Sequence, residues 1–514
     1  MVRIAFGAVI LLAGVLYLTA LGTAPVNIGV DEARFAIRAQ SIASTARDID
    51  GARLPLFFHI TDPVHPFNGS DTWWQPSLFY LTAAVFRVMP FTEWSTRLPV
   101  ALLAILNVCL IYAVGRGLFA NAWYAVVAAS ILTLTPAHFI FGRQAQDYFC
   151  MLPVALAWLW CLSVYLETGA AWLPPVIGVL LGLGLYCHIS SWVVMPLYLA
   201  VTLAAFALSR QPIRASIQLA AGFVTPLLAL LPWLWLHPGL LHDMFTNYRV
   251  SSEARWIERI DIYWDYFNPS YLFFSGGSSP MFATRRAGVF LLAAAVLLPC
   301  GIWSLLKQKT SIARAAVVIA FVAAPLPIVL ALPQDPKYYT PRDLLAVPCA
   351  ALICAAGVEW LMARGRAWRL VAVVLMLAVP VQFVSFARYY FTDYQIWSAA
   401  KFDPLSLRGV AAVVIARDEA ARVPAVYLSE DVGESQGEQW VFHLLRRARR
   451  DLWERSRHFD TARVRPDDIA PGSLLVLDAR NPRLDQLRRA DWCSSVQIVN
   501  DASGSPAAAI LRRN

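Results

Sequence analysis

Charge is scarce in this chain. Only 15% of its 514 residues are Asp, Glu, Lys or Arg and 58% are hydrophobic, whereas a soluble globular chain carries roughly 25% charged residues. Lipid rather than water must therefore solvate most of it. Cysteine is scarce too: the eight are Cys109, Cys150, Cys161, Cys187, Cys300, Cys349, Cys354 and Cys493. All but Cys493 lie in or at the edge of apolar runs, and no CxxC pair occurs, which argues against a disulfide framework and a zinc site. No phosphate-binding glycine loop or soluble nucleotide motif is present, so no nucleotide cofactor is expected. The net charge of +9 would suit nucleic acid, but in a chain of this hydropathy basic residues first report membrane topology. No nucleic-acid partner is expected.

What is present is a series of apolar runs nearly free of charge. A crossing helix needs roughly 20 apolar residues, and suitable runs occur at 4–30, 98–115, 117–142, 148–166, 215–242, 287–306, 315–334, 344–362 and 370–387. The run 168–209 is long enough for two crossings, with "YCHISS" and His188 at its turn. Eleven crossings are thus expected. The first run is too long for a signal-peptide core and reads as a retained helix. Residues 76–89 are short, hold Arg87 and are bounded by Pro76 and Pro90, which suits an interfacial helix better. With the N-terminus cytoplasmic, the short basic loops at Arg116, Arg210 and Arg214, Lys307 to Arg314 and Arg364 to Arg369 all fall inside, as the positive-inside rule requires. The long or acidic loops then fall outside.

After Ala387 the composition changes. "AVYLS", "SLLVLD" and "VQIVND" read as short strands and "EQWVFHLLRRARRDLWERS" as one basic amphipathic helix, its arginines on a solvated or head-group-facing side. The predicted fold is an α-helical polytopic membrane protein. A transmembrane domain over 1–390, with a first outer loop at 27–97 and a large outer loop at 237–286, carries outer-face interfacial helices. A small extracytoplasmic α/β domain follows over 391–514, read as structural or acceptor-docking. The Ala- and Arg-rich composition and the lack of a disulfide framework point to a bacterial inner membrane, with the outer face in the periplasm or outside the cell.

The titratable clusters that are not topology signals gather on the outer side. Asp31 and Glu32 open the first loop; Arg143 and Asp147 stand in "FGRQAQDYF"; Lys337, Tyr339, Arg342 and Asp343 stand in "QDPKYYTPRDLL". A transporter more often places ionisable groups midway along helices. Cations can hold a phosphate at head-group depth, and a carboxylate can act as general base or bind a hard divalent cation. Together these suit glycosyl transfer from a lipid phosphate.

At this point the sequence resembles the polyprenyl-phosphate-sugar-dependent membrane glycosyltransferases of the C-type fold, nearest the protein O-mannosyltransferase and lipid A aminoarabinose transferase relatives. The resemblance is carried by five pieces in order: "DEARFAIRAQSI" (31–42), "EWSTRLPVALLAIL" (93–106), "GRGLFANAWYAVVAASILTLTPAHFIFGRQAQDYF" (115–149), "YFNPSYLFFSGG" (266–277) and "YYTPRDLLAVPCAAL" (338–352). It implies a polyprenyl-phosphate sugar donor among membrane lipids, and a lipid, protein or polysaccharide acceptor. Asp31 would be the catalytic carboxylate, Glu32 its support and Asp147 a second acid. Arg342, with Tyr339 or Lys337, would hold the donor phosphate, and Arg143, lining the cavity near Asp147, would join them in binding it. A magnesium or manganese ion at Asp31 and Asp147 would fit the same pattern. Two departures stand out: Gln75 precedes Pro76 where the family often has Lys, and Asp343 follows Arg342 where Tyr is usual.

Plainer readings run alongside. Asp31 and Asp147 would serve as helix caps, Arg143 and Arg342 as interfacial snorkelers, and His188 as a helix-end histidine. Arg34 and Arg38, at i+3 and i+7 from Asp31, would bind head-groups or neutralise the acids. Rival functions are a transporter or flippase of lipid-linked glycans and a non-catalytic scaffold relative.

Overall fold

The structure, a computed structural model, describes residues 1–61, 63–64, 72–248, 255–307, 311–331 and 338–514. The chain divides into two compact units: Met1–Thr19, Trp73–Leu78 and Leu98–Tyr390 form the first, and Ala20–Thr72, Phe79–Arg97 and Phe391–Asn514 the second.

Among the described residues six helices are long and apolar enough to cross a membrane: Glu93–Leu118, Asp147–Thr168, Ser191–Leu208, Ile213–Leu236, Ile312–Leu330 and Arg366–Phe391. The five other runs expected to cross hold shorter apolar helices, Val2–Leu18, Ala122–Thr133, Leu173–Gly184, Ala294–Lys307 and Ala346–Met362. Ser77–Phe86, in the segment expected to be interfacial, is a ten-residue helix. Proline explains one of the shortened runs. Thr135, just before Pro136, is extended (φ −83°, ψ 124°) and separates Ala122–Thr133 from Pro136–Phe141, because a proline ring crowds the preceding residue out of the helical region.

In the first unit, glycine lets backbones approach closely. Ala294–Lys307 packs on Ala346–Met362; a Cβ on Gly301 would collide with the Ile353 carbonyl, and one on Gly357 with the Leu297 carbonyl. Elsewhere in this unit a buried indole finds a partner within the apolar spans. Trp158 stacks on Tyr198 with ring centroids 4.1 Å apart, and its indole N–H donates to Thr202 Oγ1 at 2.8 Å, which satisfies a group that lipid could not.

In the second unit the helix Val30–Thr45 packs on the helix Gly433–Arg446. Beyond them lies a five-stranded sheet in the order Ser456–Phe459, Val426–Ser429, Leu474–Asp478, Pro506–Arg513, Cys493–Asn500. Val426 pairs in parallel with Ser456 and Leu474 on its two sides, whereas Leu474–Asp478 and Cys493–Asn500 both run antiparallel to Pro506–Arg513. Three of these strands match the expected ones. The other two carry weak signals: "SRHF" is mostly polar, and "PAAAILRR" opens with proline and three alanines, which are depleted in strands. The expected single basic helix is instead two, Gly433–Arg446 and Arg450–Glu454. The chain turns between them at Ala448, whose φ is +56°.

Candidate functional site

The first cluster of expected site residues belongs to the second unit and begins at the helix Val30–Thr45. Gly29 is its N-cap, and Glu32 reaches back to accept the Gly29 N–H at 2.8 Å. Asp31 therefore sits inside the first turn and is not the cap. Glu32 is fully buried and grips Arg97: Nε donates to Oε1 at 2.8 Å and Nη2 to Oε2 at 3.0 Å. The same guanidinium donates to the carbonyls of Leu21 (3.1 Å), Pro25 (2.8 Å) and Asn27 (2.8 Å). Arg97 thus ties down the segment that leads into the helix. It carried no expectation of its own in "RLP", because its partners lie 65 to 76 residues away.

Asp31 keeps 31% of its side chain accessible and receives Arg34 Nη1 at 3.1 Å. Arg34 also donates through Nε to Glu438 Oε1 at 3.4 Å. Arg38, fully buried, donates to both Glu438 oxygens (2.9 and 3.1 Å) and to the Thr61 carbonyl (2.8 Å). The choice between head-group binding and neutralisation for Arg34 and Arg38 thus resolves towards carboxylate partners, one of them 400 residues on. Protein atoms packed around the Asp31 carboxyl hold its pKa above the usual range; Arg34 opposes that shift and Glu32 adds to it.

The second cluster belongs to the first unit. Asp147 opens the short 3-10 turn Asp147–Cys150 and is buried. Next to it, the Tyr148 hydroxyl lies 3.3 Å from that of Tyr339, and the Tyr148 ring lies 4.2 Å from the His188 ring between centroids. Arg342 sits over the Tyr339 ring with its guanidinium carbon 5.6 Å from the centroid, a cation–π arrangement. Tyr339 is itself placed by its N–H, which donates to Tyr266 Oη at 3.0 Å. His188 is buried, and that burial, reinforced by the charge of Arg342, pushes its imidazole well below its ordinary pKa. Its Nδ1 accepts the Ser190 N–H at 3.1 Å, so the neutral ring carries its proton on Nε2 as a donor. The structure therefore gathers Asp147, Tyr148, His188, Tyr339 and Arg342; of these, Tyr148 went unremarked in the sequence and His188 carried only a weak functional expectation. Lys337 lies outside the described residues.

Arg143 is fully buried and donates to the carbonyls of Leu16 (2.6 Å), Tyr17 (3.2 Å) and Thr19 (2.7 Å). These are orphan acceptors at the end of Val2–Leu18, where a cation is favoured. Gln75, where the family often has Lys, is buried. Asp343 is buried too, and burial holds its carboxyl far above the carboxylate range. Among the described residues no group of three or more His, Cys, Asp or Glu could hold a metal.

Residues 65–236 match the family model described as dolichyl-phosphate-mannose-protein mannosyltransferase. No curated protein matches the chain. Among solved structures, ArnT from Cupriavidus metallidurans in the apo state is 13% identical with a TM-score of 0.61, covering 99% of this chain and 97% of its own. The same protein bound to undecaprenyl phosphate gives 0.59 at 13% identity over the same shares. The arabinofuranosyltransferase AftD from Mycobacteria gives 0.52 at 14% identity, with 99% of this chain matching 41% of AftD. The resemblance read from the motifs is borne out: residues 65–236 match a family model of this kind, and the chain has a fold similar to that of ArnT.

Proposed function

We propose that the chain transfers a sugar from a polyprenyl-phosphate-linked donor to a hydroxyl acceptor at the outer face of a bacterial inner membrane, inverting the anomeric carbon. The observation that carries this reading is Asp31: a partly accessible carboxylate at the edge of a closed ion network, its pKa raised by the protein packed around it, which strengthens it as a general base. Arg342 and the donors of Tyr339 and His188 supply what a phosphate needs, a cation and directed N–H and O–H groups. The ArnT structure with undecaprenyl phosphate bound supports a lipid-phosphate donor.

In this reading the acceptor oxygen attacks the anomeric carbon and its proton passes to Asp31. The bond from that carbon to the phosphate oxygen breaks, and the electron pair leaves with the polyprenyl phosphate, stabilised by Arg342. Asp147 serves as a second acid and Lys337 as a further phosphate cation. Glu32 and Arg143, committed to Arg97 and to helix-end carbonyls, act as positioning residues. No step is routed through a metal. The eleven crossings, the outer location of residues 391–514 and the lipid, protein or polysaccharide acceptor belong to the same proposal.

The test is a deletion strain complemented with wild type or Asp31→Asn at equal membrane levels, with envelope lipids, proteins and glycans read by mass spectrometry. A sugar lost on deletion returns with wild type and not with Asp31→Asn. If both restore it, the carboxylate is not the base.

A further inference from the structure

The proposed base has a second layer of control, and it comes from the C-terminal segment. Arg34 is the cation that touches Asp31, yet it is shared: Nη1 is 3.1 Å from Asp31 and Nε is 3.4 Å from Glu438. Glu438 is almost fully buried and is held in place by Arg38, whose Nη1 donates to each of its oxygens at 2.9 and 3.1 Å. The next residue, Gln439, donates to the carbonyls of Ile28 (2.7 Å) and Phe402 (2.6 Å), so the same helix fixes the backbone three residues before Asp31. About two turns further on, Arg446 donates to Glu93 at 2.6 Å, on the helix that carries Arg97. The helix Gly433–Arg446 therefore grips the Asp31 segment from several sides, and an isolated surface pair would do none of this.

We propose that Glu438 is a positioning residue for Asp31, sharing the Arg34 guanidinium with it and so keeping the carboxylate basic enough to accept a proton. This rests on the reading of Asp31 as the base. The electrostatic logic follows from the charges present. On its own helix Asp31 faces Glu32 and Arg34, with Arg38 two turns on. Glu32 is compensated by Arg97. From Gly433–Arg446 come Glu438, Arg446 (spent on Glu93) and His443, which burial and the neighbouring arginines Arg408, Arg446 and Arg447 keep neutral, its pKa pushed down to about 3. Removing Glu438 takes away the carboxylate that shares Arg34 with Asp31. A cation at full strength within a few ångströms lowers a carboxylate pKa by about 1–3 units and weakens it as a base.

The experiment measures transfer rate against pH in membrane vesicles from the deletion strain, which carry the native donor and acceptor, supplied with purified full-length variants. In Glu438→Gln the acidic limb moves down by about one pH unit and the plateau rate falls by about three- to tenfold. Glu438→Asp restores most of both. Arg34→Gln moves the limb upward, and adding Glu438→Gln to it changes nothing further. A purely structural Glu438 gives the opposite pattern: activity scales with the amount of folded protein and the limb stays where it is, which overturns the proposal. Should Glu438→Gln not fold, an unmoved limb in Arg34→Gln overturns it equally. Asp31→Asn runs in parallel; if it retains transfer, the base assignment fails and this proposal fails with it.

Discussion

Glu32 and Arg97 offer the sharpest test of which acid is structural. Glu32 is an acceptor-only group that receives three donors: Arg97 Nε, Arg97 Nη2 and the Gly29 N–H, all within 2.8–3.0 Å. Glu32→Gln keeps the shape but turns one acceptor into an NH₂ facing a donor, and leaves the Arg97 charge buried without its counter-ion. Breaking one partner of a buried pair costs about 3–5 kcal/mol. For a cooperative unit of roughly 200 residues, about 2–4 °C per kcal/mol turns this into a fall of about 6–20 °C in the melting temperature. Arg97→Met costs a similar amount, because it also strands the carbonyls of Leu21, Pro25 and Asn27. The double variant loses less than the sum by about 2 kcal/mol, since the two changes remove one interaction. The assay is thermal unfolding of detergent-purified protein at one fixed scan rate, followed by tryptophan fluorescence, with Asp31→Asn as a control that melts close to wild type. If Glu32→Gln melts within about 2 °C of wild type and still abolishes transfer, Glu32 takes part in the chemistry and the structural reading is wrong.

Other consequences can be measured the same way. Arg342→Gln weakens donor binding by about tenfold to a hundredfold, as loss of a charged contact to phosphate should, with little change in melting; an unchanged donor dependence of the rate would remove Arg342 from the phosphate site. Asp403 is buried, accepts the N–H groups of Leu407 and Arg408, and is pushed up to about 6 by burial, against the pull of those bonds. Its folded pKa exceeds the unfolded value, so the stability it contributes is complete below pH about 4 and is lost as pH rises through 6, a change of about 3 kcal/mol. Asp403→Asn flattens that part of the melting-temperature profile between pH 4 and 8, and a profile identical to wild type would show that the group titrates normally. Gly301→Ala costs about 1–3 kcal/mol by overpacking against Ile353, whereas Gly365→Ala, with open space around it, leaves melting unchanged; equal behaviour of the two would count against the close helix contact.

The sequence was most legible where a single physical signal dominates. Charge-free runs located the apolar helices, and the gathering of Asp31, Asp147 and Arg342 outside those runs located the candidate chemistry. It was least legible where the partner is remote. Glu438 opened a run read as a basic amphipathic helix, and the polar Glu438 and Gln439 are buried with its apolar side because the helix packs on Val30–Thr45, a segment some 400 residues earlier. Arg97 escaped for the same reason: neither periodicity nor spacing records a bond to a carbonyl at residue 21. Asp31 was readable as a cap because Asp is common there; only the geometry shows Gly29 in that position, leaving the Asp31 carboxylate available.

The central claim is that a glycosidic bond to a lipid phosphate is broken and a new one made, with Asp31 taking the proton. The most direct measurement incubates purified protein with a lipid extract from the deletion strain and follows both products by mass spectrometry and NMR. The account predicts one polyprenyl phosphate released for each sugar transferred, inversion at the anomeric carbon, and neither product with Asp31→Asn. Movement of an intact lipid-linked glycan across a vesicle bilayer, with no free polyprenyl phosphate formed, would contradict it.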